Sequence, residues 1–154
     1  MKRAFTMVEL VFVIVVIGIL AGIAVPKFSA TRDDATLVKA RTTVASIRSA
    51  ISTEIQKRQM AGDYTPISNL GGEENRHDKT IFDYFDGNIS GSRILEYPPR
   101  SCKGASSKGC WMRRPNNIYR YYFSGSSDYV DFQVANNRFD CTDSSSAHCA
   151  KLDR

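Results

Sequence analysis

The chain begins with an apolar segment that contains a single ionisable side chain. Residues 5–25, FTMVELVFVIVVIGILAGIAV, carry Glu9 near their start; two basic residues precede them and Pro26 follows them. As a helix, the segment would extend about 31 Å, close to the hydrocarbon thickness of a bilayer. An unpaired carboxylate at such a position costs at least ~2.5 kcal/mol. Glu9 is therefore a candidate functional residue that needs a cationic partner.

The pattern after Pro26 is that of an amphipathic helix. Apolar side chains recur at spacings of three and four: Leu37, Ala40, Val44, Ile47, Ile51 and Ile55. This periodicity predicts one long helix from about residue 5 to about residue 60, membrane-embedded in its first half and packed on a domain in its second. Because Pro26 removes one backbone donor, we expect a bend there.

The C-terminal part of the chain predicts a small sheet. Residues 118–123 and 129–134 have alternating side chains and flank a turn-forming SGSSD sequence, which is typical of a β-hairpin. We also expect a loop over 62–79, a short helix over 80–87 and a short strand over 94–97. The apolar face of the hairpin needs cover, which the stripe on the long helix can supply. The sequence therefore predicts an α+β fold, a long helix packed on a small antiparallel sheet.

The four cysteines of the chain lie in its C-terminal third and are Cys102, Cys110, Cys141 and Cys149. An even number of cysteines behind a membrane-targeting segment is typical of disulfides formed in an oxidising compartment. Three pairings are possible, and the equal short spacings favour Cys102–Cys110 and Cys141–Cys149. Free or metal-bound thiols are the alternative, although no Cys-x-x-Cys spacing supports a metal site.

The order of residues at the N-terminus is distinctive. Arg3-Ala4 ends a short basic leader; Phe5 and the stretch Thr6-Met7-Val8-Glu9-Leu10 follow it, and Gly18 and Pro26 lie further along. This arrangement resembles the class III signal segment of type IV pilins and type II secretion pseudopilins. The resemblance covers about the first thirty residues, and Ala4 stands where that family usually has glycine.

The resemblance implies both a domain organisation and a structural function. The implied parts are a leader, 1–4, a transmembrane and filament-core helix, 5–26, its amphipathic continuation, 27–61, and a periplasmic α+β head with two disulfides, 62–154. A prepilin peptidase would cut between Ala4 and Phe5 and N-methylate Phe5. The subunit would stay in the bacterial inner membrane as a single-pass protein until it joins a periplasmic filament.

The same resemblance implies the partners. They are copies of the chain, other pilin-like subunits and an inner-membrane assembly platform, in a type II secretion, type IV pilus or DNA-uptake system. The small size favours a pseudopilin. Glu9 would meet the Phe5 ammonium of a neighbouring copy, and Gly18 and Gly22, a small-xxx-small motif, would let helices approach closely. With Pro26, these glycines also weaken the helix locally.

Two other interpretations of the apolar segment are open. An ordinary signal peptidase could cut after Gly22-Ile23-Ala24 and release a secreted, disulfide-bonded binding module. A static single-pass anchor is the second alternative. Glu9 within the apolar run argues against both, and the helical pattern beyond the cut site argues against the first.

We expect no enzymatic activity and no obligatory cofactor, because no nucleophile lies beside a base in a recognisable motif. Asp140 and Asp143 could supply oxygen ligands to calcium, although their spacing matches no dedicated calcium loop. A basic, aromatic stretch could contact DNA phosphates and stack on bases; alternatively, these residues solubilise loops and Trp111 closes over the core. The stretch comprises Arg100, Lys103, Lys108, Trp111, Arg113 and Arg114.

Overall fold

The computed structural model describes residues 5–153, with the backbone but not the side chains of residues 24–32. The chain divides into two units, Met1–Thr36 and Leu37–Arg154. Its elements are helix α1, Met7–Met60; strands β1, Cys110–Arg114, β2, Ile118–Gly125, β3, Asp128–Ala135, and β4, Arg138–Cys141; and helix α2, Ala147–Asp153. Among the described residues, no helix offers a stretch long and apolar enough to cross a membrane.

Helix α1 covers the range that the sequence predicts, and Gly62 ends it. Gly62 has a φ of 77°, which glycine adopts without a Cβ clash. Its N–H donates to the Gln59 carbonyl at 3.0 Å, and the N–H of Asp63 donates to the Arg58 carbonyl at 2.8 Å. These two bonds satisfy carbonyls at the end of the helix, as in a Schellman motif, and the predicted loop begins there.

The strands of the described residues form one antiparallel sheet in the order β1-β2-β3-β4. The predicted hairpin is confirmed as β2 and β3, with Tyr119 opposite Phe132 and Tyr121 opposite Val130. The two-residue turn between β3 and β4, Asn136–Asn137, has positive φ at both positions, as a type I′ turn requires. Asparagine tolerates this conformation better than most other residues.

The core of the unit Leu37–Arg154 lies between α1 and the sheet. The predicted helix stripe is buried at Ala40, Val44, Ile47 and Ile51, and Leu37 and Ile55 are partly buried against it. The facing sheet residues that are buried are Tyr119, Tyr121, Val130, Phe132 and Val134. The predicted α+β arrangement is therefore confirmed.

Residues 79–101 do not form the predicted helix and strand. In place of a helix over 80–87 there is a 3-10 turn, Phe85–Gly87. The N–H of Ile81 donates to the Pro99 carbonyl, and the N–H of Ile94 donates to the Asp83 carbonyl, so the two segments pair irregularly with each other. Phe82 has a φ of 61°, outside the right-handed helical region. The expected strand over 94–97 is wrong as well, because that pairing stays limited to isolated bridges.

Both favoured disulfides are confirmed. Cys102 pairs with Cys110 next to β1, and Cys141 pairs with Cys149, which joins β4 to α2. The sequence analysis did not foresee β1, β4 or α2. These elements are short and lack long periodic patterns, and the disulfides and the aromatic core hold them in place.

Candidate functional site

The start of α1 is organised by Thr6 and Glu9. The backbone N–H of Glu9 donates to Thr6 Oγ1 at 3.3 Å, and that of Leu10 donates to the Thr6 carbonyl at 3.2 Å. Thr6 is therefore the N-cap, and Glu9 lies in the first turn, where the helix dipole favours a carboxylate. This cap was not among the predictions from the sequence, although the Thr-x-x-Glu spacing of a capping box indicates it.

The described side chains of the first unit present apolar surface on all sides. Every residue from 5 to 23 is exposed. Phe5 is 73% exposed and Leu20 is 61% exposed, so the surface is apolar at both ends of the segment. A helix that is apolar all round is normally buried, and a contiguous patch of this kind marks an interaction surface.

The predicted cleavage and methylation site lies at the boundary of the described chain. Phe5 is described and exposed and precedes the helix, whereas Ala4 lies outside the described residues. Glu9 is also exposed and follows Phe5 by about one helical turn. Its carboxylate is accessible to a partner that approaches this surface.

Gly18 and Gly22 have open space around them in the part of the chain that the structure describes. A Cβ added at either position would meet no described atom within 4 Å, apart from the neighbouring backbone of the helix itself. Packing among the described residues therefore does not explain these glycines. At Pro26 the backbone remains part of α1, but its side chain lies outside the description, and the bend expected there stays a prediction.

Comparison with known proteins agrees with this N-terminal geometry. Residues 1–25 match the model of the prokaryotic N-terminal methylation motif. The type IV narrow pilus major component PilA5 of Thermus thermophilus is 48% identical over 48 residues, which are 31% of this chain and 41% of that protein. The N-terminal segment of the chain is therefore similar to that of type IV pilins, and the match spans less than half of PilA5. No solved structure shows significant similarity to it.

The unit Leu37–Arg154 does not present the predicted DNA-contact residues as one surface. Trp111 is only 4% exposed, and its ring packs against Phe82 at 5.3 Å between centroids, so it is not available to stack on a base. Arg113 Nη1 donates to the Gly72 carbonyl at 2.6 Å, and 14% of its side chain is exposed. The alternative interpretation of Trp111, closure over the core, is confirmed.

The other four predicted DNA-contact residues lie on the surface. Arg100 and Arg114 hydrogen-bond to Asp78 and Asn75, and Lys103 and Lys108 are exposed on the loop that the Cys102–Cys110 disulfide closes. DNA contact by these four residues stays a prediction.

The predicted calcium ligands have other partners in the unit Leu37–Arg154. Asp140 binds Arg48 through one oxygen at 3.2 Å and Arg138 through the other at 2.9 Å. Asp143 accepts from the backbone N–H of Ser145 at 3.0 Å. Across the described residues, no group of three histidine, cysteine or acidic side chains could hold a metal ion. Calcium binding stays a prediction without support from this geometry.

Asp86 ties the end of α1 to two loops. Asp86 Oδ2 accepts from Arg58 at 2.6 Å, and its Oδ1 accepts from the backbone and hydroxyl of Ser68 at 2.7 and 2.8 Å. Partial burial acts to raise the pKa of Asp86, but these donors outweigh it, so the pKa lies below its ordinary value. The Asp86 carboxylate is therefore ionised and held in place at neutral pH.

Tyr119 fixes the loop after α1 to the sheet. Its hydroxyl accepts from the Leu70 N–H at 2.7 Å and donates to the Gly71 carbonyl at 3.2 Å. Burial raises the pKa of Tyr119 to about 12. Tyr119 therefore holds the loop after α1 on the sheet, whereas the described side chains of residues 5–23 remain exposed.

Proposed function

We propose that this pilin-like chain is a structural subunit that polymerises through its N-terminal helix into a pilus or pseudopilus. The observation that carries the proposal is the exposed apolar helix with Glu9 in its first turn. Such a surface is stable in two surroundings, a lipid bilayer or a bundle of identical helices. A filament subunit uses both in succession, first as a membrane-held precursor and then as part of the polymer.

Cleavage between Ala4 and Phe5 by a prepilin peptidase would prepare the subunit for assembly. It generates an ammonium at Phe5 next to the helix that carries Glu9. In a bundle of staggered helices, Glu9 of one copy can then reach the Phe5 ammonium of the next. At 4 Å and an effective dielectric constant of 20, the two charges attract by about 4 kcal/mol. Desolvation offsets much of that attraction, so the pair sets the stagger more than it adds stability.

Burial of the apolar side chains would supply most of the assembly free energy. Each large apolar side chain that passes from water to a packed interface contributes ~1.5–3 kcal/mol. When the helix arrives from lipid, close packing replaces the hydrophobic effect as the driving force. Gly18 and Gly22 support this step, because neither has a side chain and no described residue fills the space beside them.

The assembly mechanism does not by itself identify the system that the filament serves. PilA5 is named as a major component of a type IV narrow pilus, which favours a pilus, whereas the small head favours a pseudopilus. Deletion of the gene, followed by parallel measurement of exoprotein release, natural transformation and twitching, separates secretion, DNA uptake and motility.

Substitution of Glu9 tests the assembly mechanism. We expect Glu9→Gln, which keeps the shape and removes the charge, to insert in the membrane normally and to abolish filaments. Glu9→Asp keeps the charge and serves as the matched control, with filaments reduced but present. Sheared filaments and membrane fractions are quantified by immunoblot. Normal filaments from Glu9→Gln would contradict the proposed role of the charge.

N-terminal sequencing of the mature protein separates the remaining alternatives. N-methylphenylalanine at Phe5 is the expected result. A start at Val25 would instead identify a secreted module, and a retained Met1 would identify a static anchor.

A further inference from the structure

The loop after the 3-10 turn contains an Asn-x-Ser triplet. Asn88, Ile89 and Ser90 form the only Asn-x-Ser/Thr triplet of the sequence. Such triplets are acceptors for N-linked sugars when they lie in surface loops of exported proteins. Whether Asn88 can accept a sugar depends on the exposure of the triplet, on the geometry of the asparagine and on the compartment in which the head lies.

The triplet lies on an exposed loop with an anchored base. Residues 87–91 are all exposed, and Ile89 is 79% exposed. At the base of the loop, Asp86 is held by Arg58 and Ser68. The loop therefore projects from a fixed point, and a transferase can reach its tip without unfolding the head.

The asparagine side chain takes part in the turn that the triplet itself forms. Asn88 Oδ1 accepts from the backbone N–H of Ser90 at 3.1 Å, and the Asn88 carbonyl accepts from the N–H of Gly91 at 2.8 Å. Nδ2 of Asn88 makes no hydrogen bond to any described residue. The nitrogen that would receive a sugar is consequently not engaged elsewhere in the described chain.

The disulfides indicate a compartment in which such modification takes place. Cys102–Cys110 and Cys141–Cys149 are both formed, which requires an oxidising environment such as the outer side of the inner membrane. Lipid-linked sugars are transferred to exported chains on that side.

We propose that Asn88 is an N-glycosylation site and that Ser90 supplies the hydroxyl by which the transferase recognises it. The donor is a sugar linked to a polyisoprenoid diphosphate. Nδ2 of Asn88 attacks the anomeric carbon and a C–N bond forms, while the bond between that carbon and the phosphate oxygen breaks. The polyisoprenoid diphosphate leaves with the bonding electron pair, and a base of the transferase takes one proton from Nδ2.

A glycan at this position would also cover an exposed apolar side chain. Ile89 extends from the loop next to the modified residue. An attached sugar would shield Ile89 from contacts with neighbouring proteins. Modification of Asn88 requires only export of the chain and does not depend on the assembly mechanism.

Mass spectrometry of the protein from its native host tests this site. Trypsin cleaves after Lys79 and Arg93, so the triplet lies on the peptide 80–93. We expect this peptide to carry a glycan mass on Asn88 in the wild type. The mass should vanish in Asn88→Gln and in Ser90→Ala and should persist in Ser90→Thr, which keeps the hydroxyl.

The variants separate the proposal from its competitors. An unmodified wild-type peptide would overturn it, and so would a glycan that persists in Asn88→Gln, because that sugar would be O-linked to serine or threonine. Loss of the glycan in Ser90→Thr would contradict recognition through the hydroxyl of Ser90, because threonine keeps that hydroxyl. Unchanged circular dichroism and thermal unfolding of Ser90→Ala show that loss of the mass does not reflect loss of the fold. The membrane-bound pool can be used even when no filament forms.

Discussion

Replacement of Asp86 with asparagine removes the charge that pairs with Arg58 near the end of α1 and keeps the local backbone favourable. Asp86 has a φ of 57°, a conformation that asparagine also tolerates. The substitution therefore isolates the electrostatic part of the anchor. Because asparagine before Gly87 deamidates, the protein is measured soon after purification.

The expected loss follows from the donors around the carboxylate. Arg58 has 15% of its side chain exposed and would keep its ion pair with Glu54, at 3.0 Å, while losing that with Asp86. The two bonds from Ser68 would become bonds to a neutral acceptor. Since a hydrogen bond to a charged group contributes about 1.5–3 kcal/mol and a neutral one about 0.5–1.5 kcal/mol, we expect a loss of about 2–3 kcal/mol. For a domain of this size, that lowers Tm by roughly 10 °C.

The stability lost in Asp86→Asn should depend on pH, and the lowered pKa of Asp86 fixes the direction of that dependence. The pKa of Asp86 is lowered in the folded state, so its contribution to stability is present above the unfolded value of 3.8. The contribution disappears as the pH falls through the lowered pKa. The difference in Tm between wild type and Asp86→Asn should therefore be full at pH 7 and should close in strong acid.

Thermal unfolding of the full chain in detergent, followed by near-UV circular dichroism of the aromatic core, measures this difference. Asp63→Asn is the matched control, because the pKa of Asp63 is also lowered, mainly by a hydrogen bond from Thr65, but Asp63 is fully exposed. We expect Tm of the control to stay close to that of the wild type. Equal losses in both variants, or a loss in Asp86→Asn that persists in strong acid, would refute the reasoning.

Two further predictions concern the sheet and the assembly surface. The pKa of Tyr119 is raised to about 12, so the wild type should lose about 2 kcal/mol of folding stability as the pH rises from 10 through 12. Tyr119→Phe has no phenol to ionise and should not show this loss. Urea unfolding measured at a series of pH values checks the difference. Gly18→Leu should leave the helicity of the detergent-solubilised subunit unchanged or higher, because no described residue opposes a side chain there, yet reduce filaments. Circular dichroism and shearing assays measure the two effects, and normal filaments would show that the glycine face is not an interface.

The sheet shows where prediction from the sequence succeeds. β2 and β3 were predictable because their alternating side chains flank a turn, and the pairing of Tyr119 with Phe132 follows from keeping apolar residues on one face. The segment around Phe82 was not predictable. The spacing of its polar and apolar residues is that of a helix, but its backbone pairs with residues 92–101 instead. This pairing allows Phe82 to be buried in the aromatic core, which the sequence pattern alone does not reveal.

Of the candidate surfaces, the N-terminal motif was predictable from the sequence and the basic stretch was not. The N-terminal motif is read from consecutive residues, so the sequence indicated Phe5, Glu9 and Gly18 directly. The basic stretch could not be evaluated in the same manner. Trp111 is buried and Arg113 is engaged because β1 turns them inward and toward neighbouring loops, a consequence of strand pairing with distant residues.

The long helix, its apolar and amphipathic halves, the resemblance of its N-terminus and the favoured disulfides could all be read from the sequence alone. Each of these depends on periodicity or spacing along a short stretch of chain. Folding was needed to show which polar residues are anchors and which are accessible, from the ionised Asp86 that binds Arg58 to the exposed Asn88 two residues later. That distinction depends on burial and on donors brought from remote segments, so it arises only when the chain has folded.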